Sequence, residues 1–481
     1  MQDQETSTPD VDACLEGARQ LLSRQETLRA SQDSPAEIAS GLDDLIASSV
    51  DDIDPNLVLL TDAGFPPPRK CRLLARYWQA FLETLAGDLT ALRLAPEAPA
   101  PSASPTAATL CQVLRALSRH LLISYLLASP AGIGIWHRLH QTYMQARKLG
   151  IAESAPLPGE ASPHEIYHAA ALLGCAQPAS FTSREIKFVA DYLELAPSDV
   201  FRECQTPHFA PDAFWIDPAG DTPPTPCARK MTASDEALYF RYERIVSLLE
   251  QQLASLEAGD ASAQAPLPSL VATPAGAGVL RRLVNCWGKP PKRRFLRRRQ
   301  TYRATLAIGF HSVWRTFQDA LAESASLSNW MITNESPEGF AIMHVSGETG
   351  PIQVGDVTAM RAENSEHWQT CIVRWANSEN QEHIELGLQI LATRVVPALL
   401  ALPGNNDAGR PLPVLILPEI PPLRTTEMLV APCGLLKDQD EALTLVVQGK
   451  NLAIREVRKT VRNEQNGSIE IFSIEREHSL V

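Results

Sequence analysis

The chain has 481 residues, 44% of them hydrophobic, with a formal net charge of −13 and a pI near 5.4. That length favours two to four domains, and the acidic balance argues against a molecule whose whole surface serves nucleic acid. Nine cysteines without a Cys-x-x-Cys pair point to reduced thiols rather than a disulfide framework.

The opening residues, MQDQETSTPDVDA, lack the basic and then apolar order of a secretion signal. The longest apolar run, Leu121 to Trp136, is broken by Pro130, Gly132 and Gly134 and is too short to span a bilayer. A cytoplasmic location is the expectation. Up to about residue 258 the apolar spacing is helical. Arg69–Leu92 repeats apolar residues every three or four positions. The same spacing predicts helices over Thr109–Ala128, Ile135–Leu149, Ile166–Leu173, Ile186–Leu195 and Asp235–Gly259. Trp136–Ala146 has the aromatic spacing of a helical-hairpin repeat, though no second copy follows.

Within this region HEIYH, His164 to His168, fits the H-E-x-x-H zinc pattern, with Glu165 as the general base of a hydrolase. The same residues also read as a helix start. Ser162 is then the N-cap, Pro163 the first-turn proline and Glu165 the capping-box acid. No third metal ligand stands out downstream. G-x-S-x-G, the phosphate-loop motif and a G-x-G-x-x-G after a strand are all missing.

Residues 259–288 include DASAQAPLPSLVATPAGAG, Asp260 to Gly278, a linker composition. Beyond them the period shortens to two. TLAIGF, WMITN, FAIMHV, IQVGDVTAM, CIVRW and IELGLQIL are short, β-branched and separated by turn residues. PVLILPEI, ALTLVVQG, LAIREVRKTVR and SIEIFSIE continue the pattern, with Asn466-Gly467 as a hairpin turn before the last.

The charge is unevenly spread. KPPKRRFLRRRQTYR, Lys289 to Arg303, holds eight basic residues and no acid. A basic run is usually a solvated face or a nonspecific phosphate binder, but this one leads directly into the first β segment. Thirty-one residues after Arg303 comes NESPEG, Asn334 to Gly339. It offers an amide, a hydroxyl and a glycine that lets a ligand approach the backbone.

Arg299-Gln300-Thr301-Tyr302-Arg303 followed by Asn334-Glu335-Ser336-Pro337-Glu338-Gly339 resembles the signature of the PilZ family of cyclic di-GMP receptors. In that family an R-x-x-x-R element enters a small six-stranded barrel, and [D/N]-x-S-x-x-G follows on the barrel surface. The later segments IQVGDVTAMR, CIVRW and IELGLQIL around Gly387 are also similar to the family's later strands. The resemblance covers about Arg293 to Leu391. R-x-x-x-R can equally be read at Arg293/Arg297 or Arg294/Arg298, but Arg299 and Arg303 lie closest to the strand, as the family's pair does. Arg298 stands where an arginine accompanies an intercalated ligand dimer in the family. The stretch Val313–Ser328 makes the path to NESPEG longer than in compact members.

Periodicity, composition and the resemblance together predict an α+β multidomain chain: an all-helical domain at 1–258, a linker at 259–288, a PilZ-like six-stranded β-barrel at 289–400 and a further β-rich subdomain at 401–481. The resemblance implies a bacterial, non-catalytic effector that needs no cofactor. Its ligand is cyclic di-GMP, held by Arg298, Arg299, Arg303, Asn334, Ser336 and Gly339. Guanidinium groups donate paired hydrogen bonds to phosphate or to guanine O6 and N7, and they stack on bases. Binding then orders the arginine segment and changes how the helical half engages a protein partner. Three other readings are a PilZ-like interaction protein without a nucleotide, a nucleic-acid binder using Lys289–Arg303, and a zinc hydrolase using His164 and His168.

Overall fold

A computed structural model describes residues 10–94, 106–201, 213–227, 237–258, 274–288, 295–318, 327–380, 382–401, 411–419, 425–436, 442–448 and 452–476. They divide into two units, one within Met1–Pro268 and Arg282–Lys292, the other within Ser269–Arg281 and Arg293–Val481.

The first unit is helical. Its described helices are α1 (Val11–Ala30), α2 (Pro35–Thr61), α3 (Arg69–Leu89), α4 (Ala107–Leu126), α5 (Ile135–Lys148), α6 (Pro163–Cys175) and α7 (Ser183–Leu195). α4 buries Leu110, Leu114, Leu117, Leu121 and Ile123, so apolar residues occupy more than one face, as a central helix requires. It packs against α3, α5, α6 and α7. A three-stranded antiparallel sheet follows, with β1 (Phe214–Ile216) between β2 (Thr225–Pro226) and β3 (Leu238–Phe240). α8 then runs over Glu243–Glu257. The periodicity predicts its start at Asp235, but Leu238–Phe240 is instead bound edge to edge by Phe214–Ile216. Aromatic and β-forming residues can satisfy either pattern, and strand partners settled the choice here.

α9 (Pro274–Trp287) lies where composition alone suggests a linker. Its Trp287 indole donates to the Leu172 carbonyl at 2.9 Å, and its Arg282 pairs with the buried Glu185 carboxylate. These contacts hold a helix in a stretch whose Ala, Gly and Pro content hides its period.

His120 gives the helical unit a pH dependence. It is 4% exposed on α4, and burial, with help from Arg138, pushes its pKa down to about 4. The folded form therefore prefers neutral imidazole, while the unfolded chain binds a proton near pH 6.5. Stability contributed by the neutral form is present above that value and is lost as pH falls toward 4. Between pH 7 and pH 5 the expected loss is about 2 kcal/mol. Denaturant unfolding at the two pH values should show His120→Leu losing about that much less than the parent; equal losses would refute the assignment.

The second unit contains two closed barrels. The first is built from β4 (Arg298–Ile308), β5 (Leu327–Ser336), β6 (Gly339–Ser346), β7 (Val357–Ala362), β8 (Gln369–Ser378) and β9 (Ile384–Ala392). Its strands follow the order β4-β5-β6-β9-β8-β7, with antiparallel neighbours throughout. The second uses β10 (Val396–Ala401), β11 (Leu412–Leu417), β12 (Glu427–Pro432), β13 (Ala442–Gln448), β14 (Leu452–Gln465) and β15 (Ile469–Arg476). Its order, β10-β11-β12-β15-β14-β13, is the same topology. The further β-rich subdomain is thus a second copy of the architecture, and β10, the counterpart of β4, carries no arginine.

An apolar layer joins the two barrels. Ala307, Val357, Ala359 and Ile372 of the first pack with Leu415, Leu417, Val430 and Ile471 of the second. Helix α10 (Phe310–Gln318) adds Val313, Trp314 and Phe317 to that layer. The insertion that lengthens the path from Arg303 to Asn334 therefore begins as a helix at the barrel junction. The outer faces of β11, β12 and β15 are spent on this contact. Asn466, between β14 and β15, uses its Oδ1 to accept from the backbone N–H groups of Ser468 and Ile469. Ser468 Oγ donates to Asp356 of the first barrel at 2.6 Å.

Candidate ligand face of the first barrel

Arg298, Arg299 and Arg303 do not precede the first strand, as TLAIGF alone suggests; they are part of it, while Arg293 and Arg294 lie outside the described residues. β4 begins at Arg298 and pairs with β5 from Arg298↔Glu335 onward. Side chains that face one another across an antiparallel pair share a face of the sheet. Three bulges then decide which face the signature residues occupy.

One rung joins Arg303, Met331, Met343 and Glu385, and the next joins Tyr302, Ile332, Ile342 and Leu386. Ile332, Ile342 and Leu386 are buried, which marks the second rung as inward-facing. The following rung is Arg299, Asn334, Ala341, Gly387 and Trp375. Between these two rungs β6 and β9 advance by one residue. β5 advances by two and β4 by three, and the register shifts there are bulges. Each bulge resets the alternation, so Arg299 and Asn334 point outward, as Arg303 does.

Four residues apart in sequence would span about 13 Å of ideal strand, but Arg299 and Arg303 are two rungs apart, about 7 Å. Two rungs beyond Arg303 lies Asn334, and two further lies the Ser336–Gly339 pair. All the signature residues except Arg298 therefore line one outer face. Arg298 is exposed and pairs with Glu335 on the intervening rung, so alternation turns it the other way.

Local contacts hold this arrangement. Across the β4 bulge, Gln300 Nε2 and Tyr302 Oη donate to the two oxygens of Glu335, at 2.9 and 2.6 Å. Burial and the Glu335 carboxylate both raise the Tyr302 phenol above its ordinary pKa, so it stays a donor. Arg299 and Arg303 are exposed, and neither guanidinium has a side-chain partner among the described residues. Asn334 Oδ1 is buried without a hydrogen-bond partner among the described residues, an acceptor position that an N–H group of a ligand would satisfy. Ser336 Oγ donates to the Gly339 carbonyl at 3.3 Å. At Gly339 a Cβ would collide with the Leu388 carbonyl oxygen, so only hydrogen fits.

Sequence reasoning missed Trp375. In CIVRW plain alternation puts it on the side of Cys371 and Val373, both buried. A bulge at Arg374 turns it outward instead. Glu335, inside the signature but at an unspecified position, was also invisible as the clamp of the β4 bulge.

His164 and His168 are elsewhere, on α6. Ser162 Oγ accepts from the Glu165 backbone N–H at 3.3 Å, and Glu165 Oε2 accepts from the Ser162 N–H at 2.6 Å, which completes the capping box. Burial raises the Glu165 carboxyl, but hydrogen bonds from Ser198 and Ser162 outweigh it and the net shift is downward. His164 Nε2 donates to the Phe201 carbonyl at 3.0 Å, and Tyr143 Oη lies 3.0 Å from His164 Nδ1 and 3.3 Å from His168 Nε2. These nitrogens are already engaged with protein partners. Among the described residues no group of three or more His, Cys, Asp or Glu is placed to hold a metal ion, and no helix is long and apolar enough to cross a membrane.

Comparisons with known proteins agree with the two-part architecture. Residues 5–200 match the family model described as the N-terminal domain of the cyclic-di-GMP receptor FimW, and residues 311–397 match its middle PilZ domain. The chain is similar to the cyclic-di-GMP receptor FimW of Pseudomonas aeruginosa, 22% identical over 446 residues, covering 76% of this chain and 72% of the relative. The C-terminal half therefore resembles a PilZ domain over residues 311–397, the family whose signature the Arg299/Arg303 and Asn334–Gly339 motifs are also similar to.

Proposed function

We propose that the protein is a non-catalytic cyclic di-GMP receptor, with the ligand on the outer face of β4, β5 and β6. The observation that carries this reading is the bulged rung that sets Arg299 beside Asn334 and two rungs from Arg303. Cyclic di-GMP has two phosphates and two guanines. Exposed guanidinium groups suit its phosphates and the O6/N7 edges, and the Asn334 carbonyl suits guanine N–H donors. Gly339 keeps the barrel surface low beneath the ligand. The relative's printed name, a cyclic-di-GMP receptor, supports the same ligand.

Arg299 and Arg303 take the principal roles. Arg298 reaches the nucleotide only around the start of the strand, where a second, intercalated nucleotide would meet it. Ligand binding orders the basic segment against the barrel and alters how the helical half engages a protein partner. No cofactor takes part, and the receptor acts in the cytoplasm of a bacterium.

Amide hydrogen exchange on the full chain, with and without cyclic di-GMP, tests the location. Added protection is expected at 298–303 and 333–341, with the second barrel unchanged. Protection confined to other segments, or none at saturating nucleotide, would overturn the proposal.

A further inference from the structure

The helical unit holds an open cavity of about 880 Å³, lined by α4, α6 and α7, with residues 153–162 and 196–201 around its mouth. Cys111 Sγ donates to the Ala161 carbonyl at 3.5 Å, so α6 starts beside the N-terminal half of α4. Ser183 Oγ donates to the Leu126 carbonyl at 2.8 Å, so α7 starts at the far end of α4 and runs back. The three helices form a trough between them. Leu122 and Leu173 line its inner end, and Ile166 and Leu193 line its sides. Ala169 and Ala190 leave open the space that larger side chains would fill.

The charges along this trough are sorted by depth. Glu153, Glu160, Glu194 and Asp199 are exposed at the mouth, whereas Arg115 and Arg119 of α4 are half-buried. Asp199 is paired with Arg244 at 3.5 Å, and Glu165 is held in its capping box. Neither Arg115 nor Arg119 forms a hydrogen bond or ion pair among the described residues. Glu194 feels the Arg119 charge without pairing with it. Two like charges one helical turn apart repel each other, and partial burial without a counterion adds to that cost. Ser118 lies on the same face of α4, and its Oγ is buried with no partner among the described residues. Two guanidinium groups and a hydroxyl at positions i, i+4 and i+3 make a donor set suited to an anion.

We propose that this trough is a further ligand site, which takes a small amphipathic anion: a carboxylate or phosphate head on an apolar chain. The head meets Arg115, Arg119 and Ser118, and the chain lies along Leu122 and Leu173. From Arg115 to Leu122 is seven residues, about 10 Å along the helix axis, which sets the length of chain that the trough covers. The cavity has the size of a small-molecule pocket, roughly 300–1,000 Å³. The acids at the mouth stand in water, where their repulsion of an anion is screened. The arginines, being half-buried, are screened less, so the negative head is favoured. The site lies within the helical unit and is independent of the nucleotide reading of the first barrel.

The test is calorimetric titration of decanoate and of decyl phosphate into the full chain, with decyltrimethylammonium and acetate as controls. Saturable binding of at least one of the two anions is expected, and the tighter one names the head group. Decyltrimethylammonium lacks the negative charge and acetate lacks the chain, so each should bind at least about tenfold more weakly. The double variant Arg115→Gln/Arg119→Gln should lose about ten- to hundredfold in affinity for the anion. Ala169→Phe, which fills the trough and leaves both arginines in place, should weaken the same binding, and thermal unfolding checks that each variant is folded. No saturable binding of either anion, equal binding of decyltrimethylammonium, or an undiminished affinity in the folded double variant would overturn the proposal. If the double variant fails to fold, parent-like binding by a folded Ala169→Phe would overturn it instead.

Discussion

Replacing Arg299 and Arg303 together by alanine is expected to weaken cyclic di-GMP binding about a thousandfold without disturbing the fold. Each guanidinium is exposed, and neither has a side-chain partner among the described residues. Their removal thus leaves no buried charge behind. A charge-assisted hydrogen bond is worth roughly 1.5–3 kcal/mol, and two of them give roughly 3–6 kcal/mol, or two to four powers of ten. The melting temperature should stay within about one degree, because exposed substitutions of this kind change stability by less than about 0.5 kcal/mol. The dependence of affinity on salt should also flatten, since fewer phosphate contacts are made. Arg298→Ala, on the other side of the strand, should cost only about tenfold, in proportion to a single auxiliary contact. Calorimetry at two salt concentrations reads all of these results.

The second large effect is at Gly339, where Gly339→Ala is expected to destabilise the second unit by about 3 kcal/mol and to abolish binding. A Cβ there would occupy the space of the Leu388 carbonyl oxygen. Backbone cannot swing aside as a side chain can, so β6 and β9 must separate where Gly339 pairs with Gln389. That movement shifts the rung of Ser336 and disturbs the bulged one two rungs away. The same chemical change at Gly17, inside α1, should have the opposite sign. Nothing lies within 4 Å of a Cβ at Gly17, and a mid-helix alanine is favoured over glycine by about 1 kcal/mol. Urea unfolding of the two variants therefore separates a steric requirement from a generic glycine effect. A neutral Gly339→Ala would contradict the close approach of the two strands.

These expectations depend on features that were unequally legible in the chain. Helices α3 to α7 follow the three- and four-residue spacing of apolar side chains, and the capping box Ser162–Glu165 could be read directly from its residues. α1 carries no such stripe: Ala18, Leu21 and Gln25 are its buried residues, too few to announce a period. α9 is held by Trp287 and Arg282 contacts more than 90 positions away in sequence, which no local window contains. The strands of both barrels alternate visibly, but their closure and shared order rest on pairings such as β4 with β7 and β10 with β13. Those pairings are set by packing and not by neighbours in sequence.

The binding residues were legible as types and spacing, while their common face was not. Plain alternation would turn Asn334 inward with Ile332 and stretch Arg299 away from Arg303. The bulges at β4, β5 and β8 reverse that outcome, and Trp375 becomes visible only once they are counted. Their signals, a Glu335 clamped by Gln300 and Tyr302 and an Arg374 anchored by Glu464, lie in side chains with no fixed pattern.

The most direct test of the central claim is a titration of cyclic di-GMP into the full chain, followed by calorimetry, with Arg299→Ala as its control. Saturable heat at micromolar or tighter affinity, lost in Arg299→Ala, is the expected result. No heat from the parent at high nucleotide concentration, or undiminished heat from Arg299→Ala, would contradict it.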